Sequence, residues 1–204
     1  MTMNSAREKL LQLIREHAIE TAAPGTFFVA KGGSKTLEYI NIKSASMCSA
    51  IQMLLASQLY ESLAPLEPID AIAGVVLGGC HPASITSSYA WSKSRKLDIL
   101  YVRKDPKDRG GGSSPFIEGP YRKGTRVVLI DDIVSAGMTA SRAADRLREV
   151  GCDVRGILAI IDKRRDRTEA LHGTKFQALF TTDELLYHGM DMKTGLPLDP
   201  TSIH

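Results

Sequence analysis

One short stretch constrains the fold more than any other part of the chain. It covers residues 127–140 and reads VVLIDDIVSAGMTA. Its first four residues are apolar and three of them are β-branched, which predicts a strand buried on both faces of a parallel sheet. An acid pair, Asp131 and Asp132, follows, and a loop of small residues then leads into a predicted helix. A strand, a small-residue loop and a helix in this order predict an α/β fold.

The loop after the acid pair has the composition of an anion-binding turn. Its small side chains leave backbone N–H groups and the positive end of a helix dipole open to a phosphate. Two carboxylates would repel a lone phosphate, but they can accept hydrogen bonds from the vicinal hydroxyls of a ribose 5-phosphate. The order matches neither the lysine-bearing P-loop nor the G-x-G-x-x-G loop. The stretch predicts a ribose-phosphate site, and the competing interpretation is an ordinary turn with solvated aspartates.

The acid pair and its loop, DDIVSAGMT, resemble the ribose-phosphate loop of type I phosphoribosyltransferases, which bind 5-phosphoribosyl 1-diphosphate. The resemblance implies that Asp131 and Asp132 act in catalysis by holding the ribose. It implies Mg²⁺ as cofactor, bound mainly through substrate and water with no certain protein ligand. It also implies that the 5-phosphate binds to Ser135, Ala136, Gly137, Met138 and Thr139.

The rest of the predicted sheet follows from alternating patterns. Apolar runs at residues 71–79, 97–102, 126–130, 154–161 and 176–180 alternate with helical or loop segments, which predicts a doubly wound parallel sheet. Ligands bind at the carboxyl ends of the strands in such sheets. Four of these ends carry polar or glycine-rich segments, so we expect one convergent site formed by Gly78-Gly79, Arg103-Lys104, Asp131-Asp132 and residues 162–164.

Three segments are predicted from the remaining patterns. Residues 1–69 form an N-terminal helix that stops at Pro24-Gly25, a hairpin from two runs at 26–30 and 37–42, and a second helix. We expect them to form a hood and part of the core. Residues 70–189 form the α/β core, and residues 190–204 form a C-terminal tail.

Composition limits the partners and the compartment. A net charge of +3 on 204 residues is too mild to indicate nucleic acid, and no apolar run reaches the length of a signal or a membrane span. The three cysteines are odd in number and have no metal-ligand spacing, which favours a reducing compartment. We therefore expect a cytoplasmic protein with no nucleic-acid or membrane partner.

A long basic loop follows the second strand of the core. Residues 103–119 (the basic loop) read RKDPKDRGGGSSPFIEG. A loop of this length in a compact domain is usually functional or disordered. Its cations and glycines predict a mobile lid that neutralises a leaving diphosphate and excludes water. The alternative is a solvated surface loop.

The segment RKDPKDRG resembles the lid motif of orotate phosphoribosyltransferases. The hairpin motif FVAKGGSKTLEYIN, the loop GVVLGGCHPA and the segment IEGPYRKG are also similar to that family. The likeness implies that Lys107 is the catalytic lysine and serves the neighbouring subunit of a homodimer. It implies further contacts with phosphoribosyl diphosphate through Arg103, Lys104, Arg109, Gly78 and Gly79. Contacts with the base orotate are implied for Lys31, Tyr39, Ile40, Ser135, Lys163 and Arg164.

Departures from that family leave the acceptor base open. The family has Glu where this chain has Asp131, Thr where it has Ser135, and His or Tyr where it has Arg109. An arginine that binds the orotate carboxylate in the family is replaced by Lys163, or by Arg164 with a one-residue shift. Two alternatives therefore stand beside orotate transfer: another purine or pyrimidine acceptor, and a non-catalytic regulator that binds phosphoribosyl diphosphate.

Overall fold

The computed structural model describes residues 3–29, 33, 35–107, 114–164 and 170–186. The helices in these ranges are α1 (Met3–Ala18), α2 (Ile42–Ser46), α3 (Ser49–Glu61), α4 (Cys80–Ser92), α5 (Met138–Glu149) and α6 (Thr182–Leu186). The strands are β1 (Ile19–Thr21), β2 (Phe28–Val29), β3 (Lys35–Thr36), β4 (Glu38–Ile40), β5 (Ala71–Val75), β6 (Asp98–Val102), β7 (Ile117–Glu118), β8 (Arg126–Val134), β9 (Asp153–Asp162), β10 (Ala170–Leu171) and β11 (Thr174–Thr181).

A seven-stranded sheet forms the centre of the molecule, in the order β10-β11-β9-β8-β5-β6-β7. The five inner strands are mutually parallel, and the short strands β7 and β10 add antiparallel edges. The chain runs outward from β5 to β6 and then returns to the other side of β5 with β8. The carboxyl ends of β5 and β8 therefore form the switch point where ligands bind in such sheets. The predicted doubly wound α/β fold is confirmed.

Two apolar layers cover the sheet, because successive strand residues point to opposite faces. Val128 and Ile130 of β8 pack with α1, α3 and α4 on one face. Val127 and Leu129 pack with α5 on the other face. Helix α5 buries four residues of its apolar stripe, Ala140, Ala143, Ala144 and Leu147, and its N-terminus lies at the carboxyl edge of the sheet.

Strands β5 and β8 end at different levels at the carboxyl edge of the sheet. Strand β5 ends at Val75, so the predicted strand through Gly79 is wrong. Its last pairing with β8 joins Gly74 to Ile130, whereas β8 stays paired with β9 as far as Val134. The acid pair therefore lies inside β8, beyond the point where its β5 neighbour has departed.

The N-terminal segment differs from the predicted hairpin in its pairing. Helix α1 ends at Ala18, and β1 pairs antiparallel with β4. The predicted pairing of the arms 26–30 and 37–42 is wrong: β2, in the first arm, pairs with β3, which precedes the second arm, and the second arm supplies β4 to β1 instead. The glycine loop between β2 and β3, apart from Gly33, lies outside the described residues, as does the predicted tail at 190–204. The segment boundaries at residues 69 and 189 stay predictions.

Among the helices of the described ranges, none combines the length and the apolar character that crossing a membrane would require.

Candidate functional site

A cavity of about 350 Å³ opens at the switch point and is called here the central cavity. Strand β8 and the start of α5 form its floor, the turn after β5 forms one wall, and Lys104 closes another side. It is lined by Lys43, Val76, Leu77, Gly78, Lys104 and residues 131–140. Of the predicted site residues, it brings together the acid pair, Gly78, Lys104 and residues 135–139.

The acid pair is held by its own backbone. The N–H of Asp132 donates to Oδ1 of Asp131 at 3.0 Å, and the N–H of Ile133 donates to Oδ1 of Asp132 at 2.9 Å. Asp131 is 7% exposed, while Asp132 is half-buried. Burial, followed by the charge of Asp132, raises the pKa of Asp131 to about 8. A ligand that donates hydrogen bonds or brings positive charge would therefore favour the ionised form of this carboxyl group.

Glycines allow the turn after β5 to lie against the acid pair. A Cβ atom at Gly78 would collide with the carboxylate of Asp132, and one at Gly79 would collide with the carbonyl oxygen of Ile130. Any other residue would push the turn away from β8. The close approach leaves the backbone of this turn, rather than side chains, beside the acid pair.

The loop between β8 and α5 has the geometry that its composition predicts. Gly137 has φ of +78°, a left-handed conformation that favours glycine, and α5 begins at the next residue. The first N–H groups of a helix have no intrahelical acceptor, so they are available to an anion together with the positive end of the dipole. The loop can therefore bind a phosphate beside the acid pair.

A second cavity of about 610 Å³, the hood cavity, lies under the N-terminal strands. Its lining includes Tyr39, Ile40 and Lys163, all predicted to contact the base. The rings of Phe28 and Tyr39 lie 5.7 Å apart between centroids. The hood cavity shares four lining residues with the central cavity: Lys43, Asp132, Ile133 and Ser135. The two cavities thus adjoin at the acid pair.

Lys163 and Arg164 have different environments although they are adjacent. Lys163 is exposed and lines the hood cavity. The Arg164 side chain is only 8% exposed and forms a bidentate ion pair with Asp162, with both N···O distances at 3.0 Å. Its guanidinium also stacks 3.9 Å from the Phe176 ring centroid. Lys163 is therefore placed to meet a ligand, and Arg164 is placed to hold the end of β9.

The described parts of the basic loop carry three cations, Arg103, Lys104 and Lys107. Lys104 lines the central cavity, while Arg103 lies in a neighbouring depression with Lys104 and Glu118. Lys107 Nζ forms an ion pair with Glu118 at 2.5 Å, and Arg103 lies 3.7 Å from the same carboxylate. Lys107 lines neither the central cavity nor the hood cavity. The predicted ligands Lys31 and Arg109 lie outside the described residues.

Known proteins resemble this chain in sequence and in fold. The family model of the phosphoribosyl transferase domain matches residues 41–181. The orotate phosphoribosyltransferase of Sorangium cellulosum is 32% identical over 169 residues, covering 82% of this chain and 85% of the relative. The chain belongs to the phosphoribosyltransferase family.

One further relative and one solved structure extend the likeness in sequence and in fold. The orotate phosphoribosyltransferase of a Synechocystis species is 32% identical over 186 residues, which cover 88% of each chain. The crystal structure of the Mycobacterium tuberculosis orotate phosphoribosyltransferase has a TM-score of 0.74 at 21% identity, covering 88% of this chain and 98% of that one. The predicted membership of the phosphoribosyltransferase family is confirmed, and the type I fold is shared.

One residue of this phosphoribosyltransferase was missed by the sequence interpretation. Lys43 lies on α2 and lines both cavities. Asn41 positions it, because its side chain accepts from the N–H of Ser44 and caps the helix. The signal in the sequence was the segment Asn-Ile-Lys, which begins with the last residue of the hairpin motif, where a capped turn exposes its basic residue.

Proposed function

We propose that the protein is an orotate phosphoribosyltransferase. It would transfer the 5-phosphoribosyl group from phosphoribosyl diphosphate to orotate, giving orotidine 5-monophosphate and diphosphate as a step of pyrimidine biosynthesis. The observation that carries the proposal is the junction of the two cavities at the acid pair. One cavity has the groups for a phosphorylated sugar, and the other has an aromatic wall and a lysine for a flat, anionic base.

Phosphoribosyl diphosphate would occupy the central cavity. Its 5-phosphate would accept hydrogen bonds from the loop at residues 135–139, and its ribose hydroxyls would donate to Asp131 and Asp132. The diphosphate would lie toward Lys104 and the turn at Gly78 and Gly79. Every anionic group of the substrate then faces a backbone N–H group or a cation, and every carboxylate faces a hydroxyl donor.

The donor set at the acid pair suits Mg²⁺ held largely by substrate. No cluster of three metal-ligating side chains occurs within the described ranges, whereas Asp132 presents a carboxylate to both cavities. Mg²⁺ is commonly bound by one or two carboxylates together with phosphate oxygens and water. When bound, it would supply positive charge to the diphosphate. Asp132 is the residue that we expect to contact it.

Orotate would occupy the hood cavity. Its ring would lie against Tyr39 and Ile40, and its carboxylate would meet the ammonium group of Lys163. Ser135 belongs to both cavities and can donate a hydrogen bond to the base. A lysine offers a point charge rather than a bidentate fork, so the carboxylate is recognised by charge more than by geometry.

The reaction then needs no covalent enzyme intermediate. A bond forms between the ring nitrogen of orotate and C1 of the ribose, the C1–O bond breaks, and the diphosphate leaves with the electron pair while the nitrogen loses its proton. The carboxylates of the acid pair stabilise the positive charge that develops on the ribose. Cys80 does not compete as a nucleophile, because burial and the charge of Asp131 raise its thiol pKa to about 11.

The proposal includes a homodimer in the cytoplasm. Lys107 would stabilise the leaving diphosphate in the partner's site, since it lines neither cavity of its own chain and pairs with Glu118 outside them. The three free thiols of the chain suit a reducing compartment such as the cytoplasm. Roles for Arg103, Arg109 and Lys31 stay predictions of the same kind.

A panel of bases tests the proposal. The purified protein is incubated with phosphoribosyl diphosphate and Mg²⁺, and diphosphate release is measured with orotate, uracil, adenine, hypoxanthine and no base. We expect release with orotate alone. Release only with another base would make this a phosphoribosyltransferase of different specificity. Tight binding of phosphoribosyl diphosphate without release for any base would favour the regulator.

A further inference from the structure

The base of the basic loop is attached to helix α5 through one side chain. Arg146, in the third turn of α5, donates from Nη1 to the carbonyl oxygen of Arg103 and from Nη2 to that of Lys104, the latter at 2.9 Å. Its guanidinium also lies 3.9 Å from the ring centroid of Phe116. Arg146 does not line the central cavity. It contacts the backbone that carries the cavity's lysine.

Both arms of the loop are included in this contact. The N–H of Arg103 donates to the carbonyl oxygen of Phe116 at 2.8 Å, and the N–H of Lys107 donates to that of Pro115 at 3.0 Å. The two arms are therefore paired with each other where they leave the sheet. Arg146 binds the carbonyl groups of one arm and the ring of the other, so it fixes the pair as a unit.

The helix that carries Arg146 also forms the phosphate loop. Helix α5 starts at Met138, directly after Gly137, and is fixed to the sheet by its four buried apolar residues. Arg146 lies about 12 Å along the same rigid axis, at about 1.5 Å per residue. A single element thus sets the position of the groups proposed for the 5-phosphate and the position of Lys104.

We propose that Arg146 is a positioning residue for phosphoribosyl diphosphate. By holding two successive carbonyl groups, it directs the side chain of Lys104 into the central cavity at a fixed distance from the phosphate loop. The inference deepens the proposed function and rests on it. Arginine suits this role because its planar guanidinium group can donate to two neighbouring carbonyl oxygens at once. The ammonium group of a lysine is a single point charge.

The test is a double-mutant cycle read out as binding. The dissociation constant of phosphoribosyl diphosphate with Mg²⁺ is measured by calorimetry for wild type, Lys104→Ala, Arg146→Ala and the double variant. We expect each single variant to bind on the order of tenfold more weakly. The double variant should bind no more weakly than Lys104→Ala, because Arg146 acts through that lysine.

Two further variants separate position from charge and from folding. Arg142→Ala, on an exposed position of the same helix, should bind like wild type. Arg146→Lys keeps the charge but loses the fork, so we expect it to recover only a minor part of the affinity. It also replaces Arg146→Ala in the cycle if the alanine variant unfolds, as judged by circular dichroism.

The outcomes are separable. Additive losses in the cycle, or full recovery by Arg146→Lys, would overturn the positioning role and leave a general effect of charge or stability. If Lys104→Ala binds weakly but Arg146→Ala binds normally, only this inference fails. If wild type does not bind phosphoribosyl diphosphate, the proposed function fails and the inference falls with it.

Discussion

The carboxyl group of Asp131 is buried beside a second carboxylate, so its ionisation is costly in the free protein. Its raised native pKa has a defined effect on stability. An unfolded aspartate ionises near pH 4, whereas the native group keeps its proton until about pH 8. Between these values the native state binds more protons, so the free energy of unfolding contributed by this group falls as the pH rises.

Asp131→Asn should therefore stabilise the protein while lowering its activity. Asparagine keeps the shape and the oxygen that accepts from the N–H of Asp132, but it cannot ionise. We expect its melting temperature to exceed that of wild type by a few degrees at pH 8 and by much less at pH 5. Asp145→Asn, at an exposed carboxylate on α5, should show no such pH-dependent gain. A gain that is equal at both pH values would contradict the pKa assignment.

Gly78→Ala tests the close approach of the turn to the acid pair. The added Cβ would collide with the Asp132 carboxylate, so either the turn or the side chain must move. We expect a loss of about 1–3 kcal/mol in the free energy of unfolding, measured by urea denaturation. The same glycine substitution made in an Asp132→Ala background should cost clearly less, because the colliding group is gone. Equal costs in the two backgrounds would show that the contact does not determine the need for glycine.

Substitutions of the adjacent residues Lys163 and Arg164 should have different effects, one on substrate binding and the other on the stability of the fold. Lys163→Ala should raise KM for orotate on the order of tenfold with an unchanged melting temperature, since the side chain is exposed and faces the hood cavity. Arg164→Ala leaves Asp162 buried without its ion-pair partner and should lower the free energy of unfolding by about 3–5 kcal/mol. Steady-state kinetics and urea denaturation on both variants measure the contrast. A reversal of the two effects would assign the carboxylate contact to Arg164.

At the scale of elements, the parallel strands were predictable because burial on both faces leaves an uninterrupted apolar run. All five predicted runs became neighbouring strands of one sheet. Strand ends were less predictable. Polar residues marked the expected end of β8 at Ile130, yet pairing with β9 carries the strand to Val134. The short strand β1 was missed because its pairing with β4 depends on tertiary contact and not on a local pattern.

For the site too, the sequence predicts what topology determines but not what depends on tertiary contacts. The residues that converge at the switch point could be predicted, since topology alone brings the carboxyl ends of parallel strands together. The choice between Lys163 and Arg164 could not be made, because it depends on Asp162 capturing the arginine at the end of β9. Lys43 was missed although the nearby Tyr39 and Ile40 were predicted, because the direction of its side chain depends on how α2 packs beside the two cavities.

Helix α2 supplies a prediction of its own. Because Lys43 lines both cavities, its removal should weaken both substrates, unlike removal of Lys163. We expect Lys43→Ala to raise KM for phosphoribosyl diphosphate and for orotate severalfold each. Lys93→Ala, a surface substitution just beyond α4, serves as the control and should change neither value. An effect on one substrate only would assign Lys43 to a single cavity.

At the scale of the whole molecule, the proposed exchange of Lys107 between subunits can be tested by mixing variants. Lys107→Ala and Asp132→Asn chains are each expected to be nearly inactive. Random mixing in equal amounts should restore about a quarter of wild-type activity, because half of the dimers then contain one intact site of two. A mixture of Lys107→Ala with the doubly substituted chain should stay inactive. No recovery in the first mixture would mean that each chain completes its own site.

Strand β8 extends beyond β5 at the carboxyl edge of the sheet, and this difference leaves space for a substrate beside β8. From Asp131 to Val134, β8 pairs with β9 and with no other strand of the described residues, so the sugar of the proposed substrate would lie where further residues of β5 could otherwise pair with β8. An insertion that extended β5 past Val75 would let β5 pair with residues 131–134 of β8. The backbone of the added residues would then fill part of the central cavity. The size of the proposed sugar site thus depends on the residue at which β5 ends, and we expect that a longer or shorter β5 would change this size without any change to the charged side chains that line the cavity.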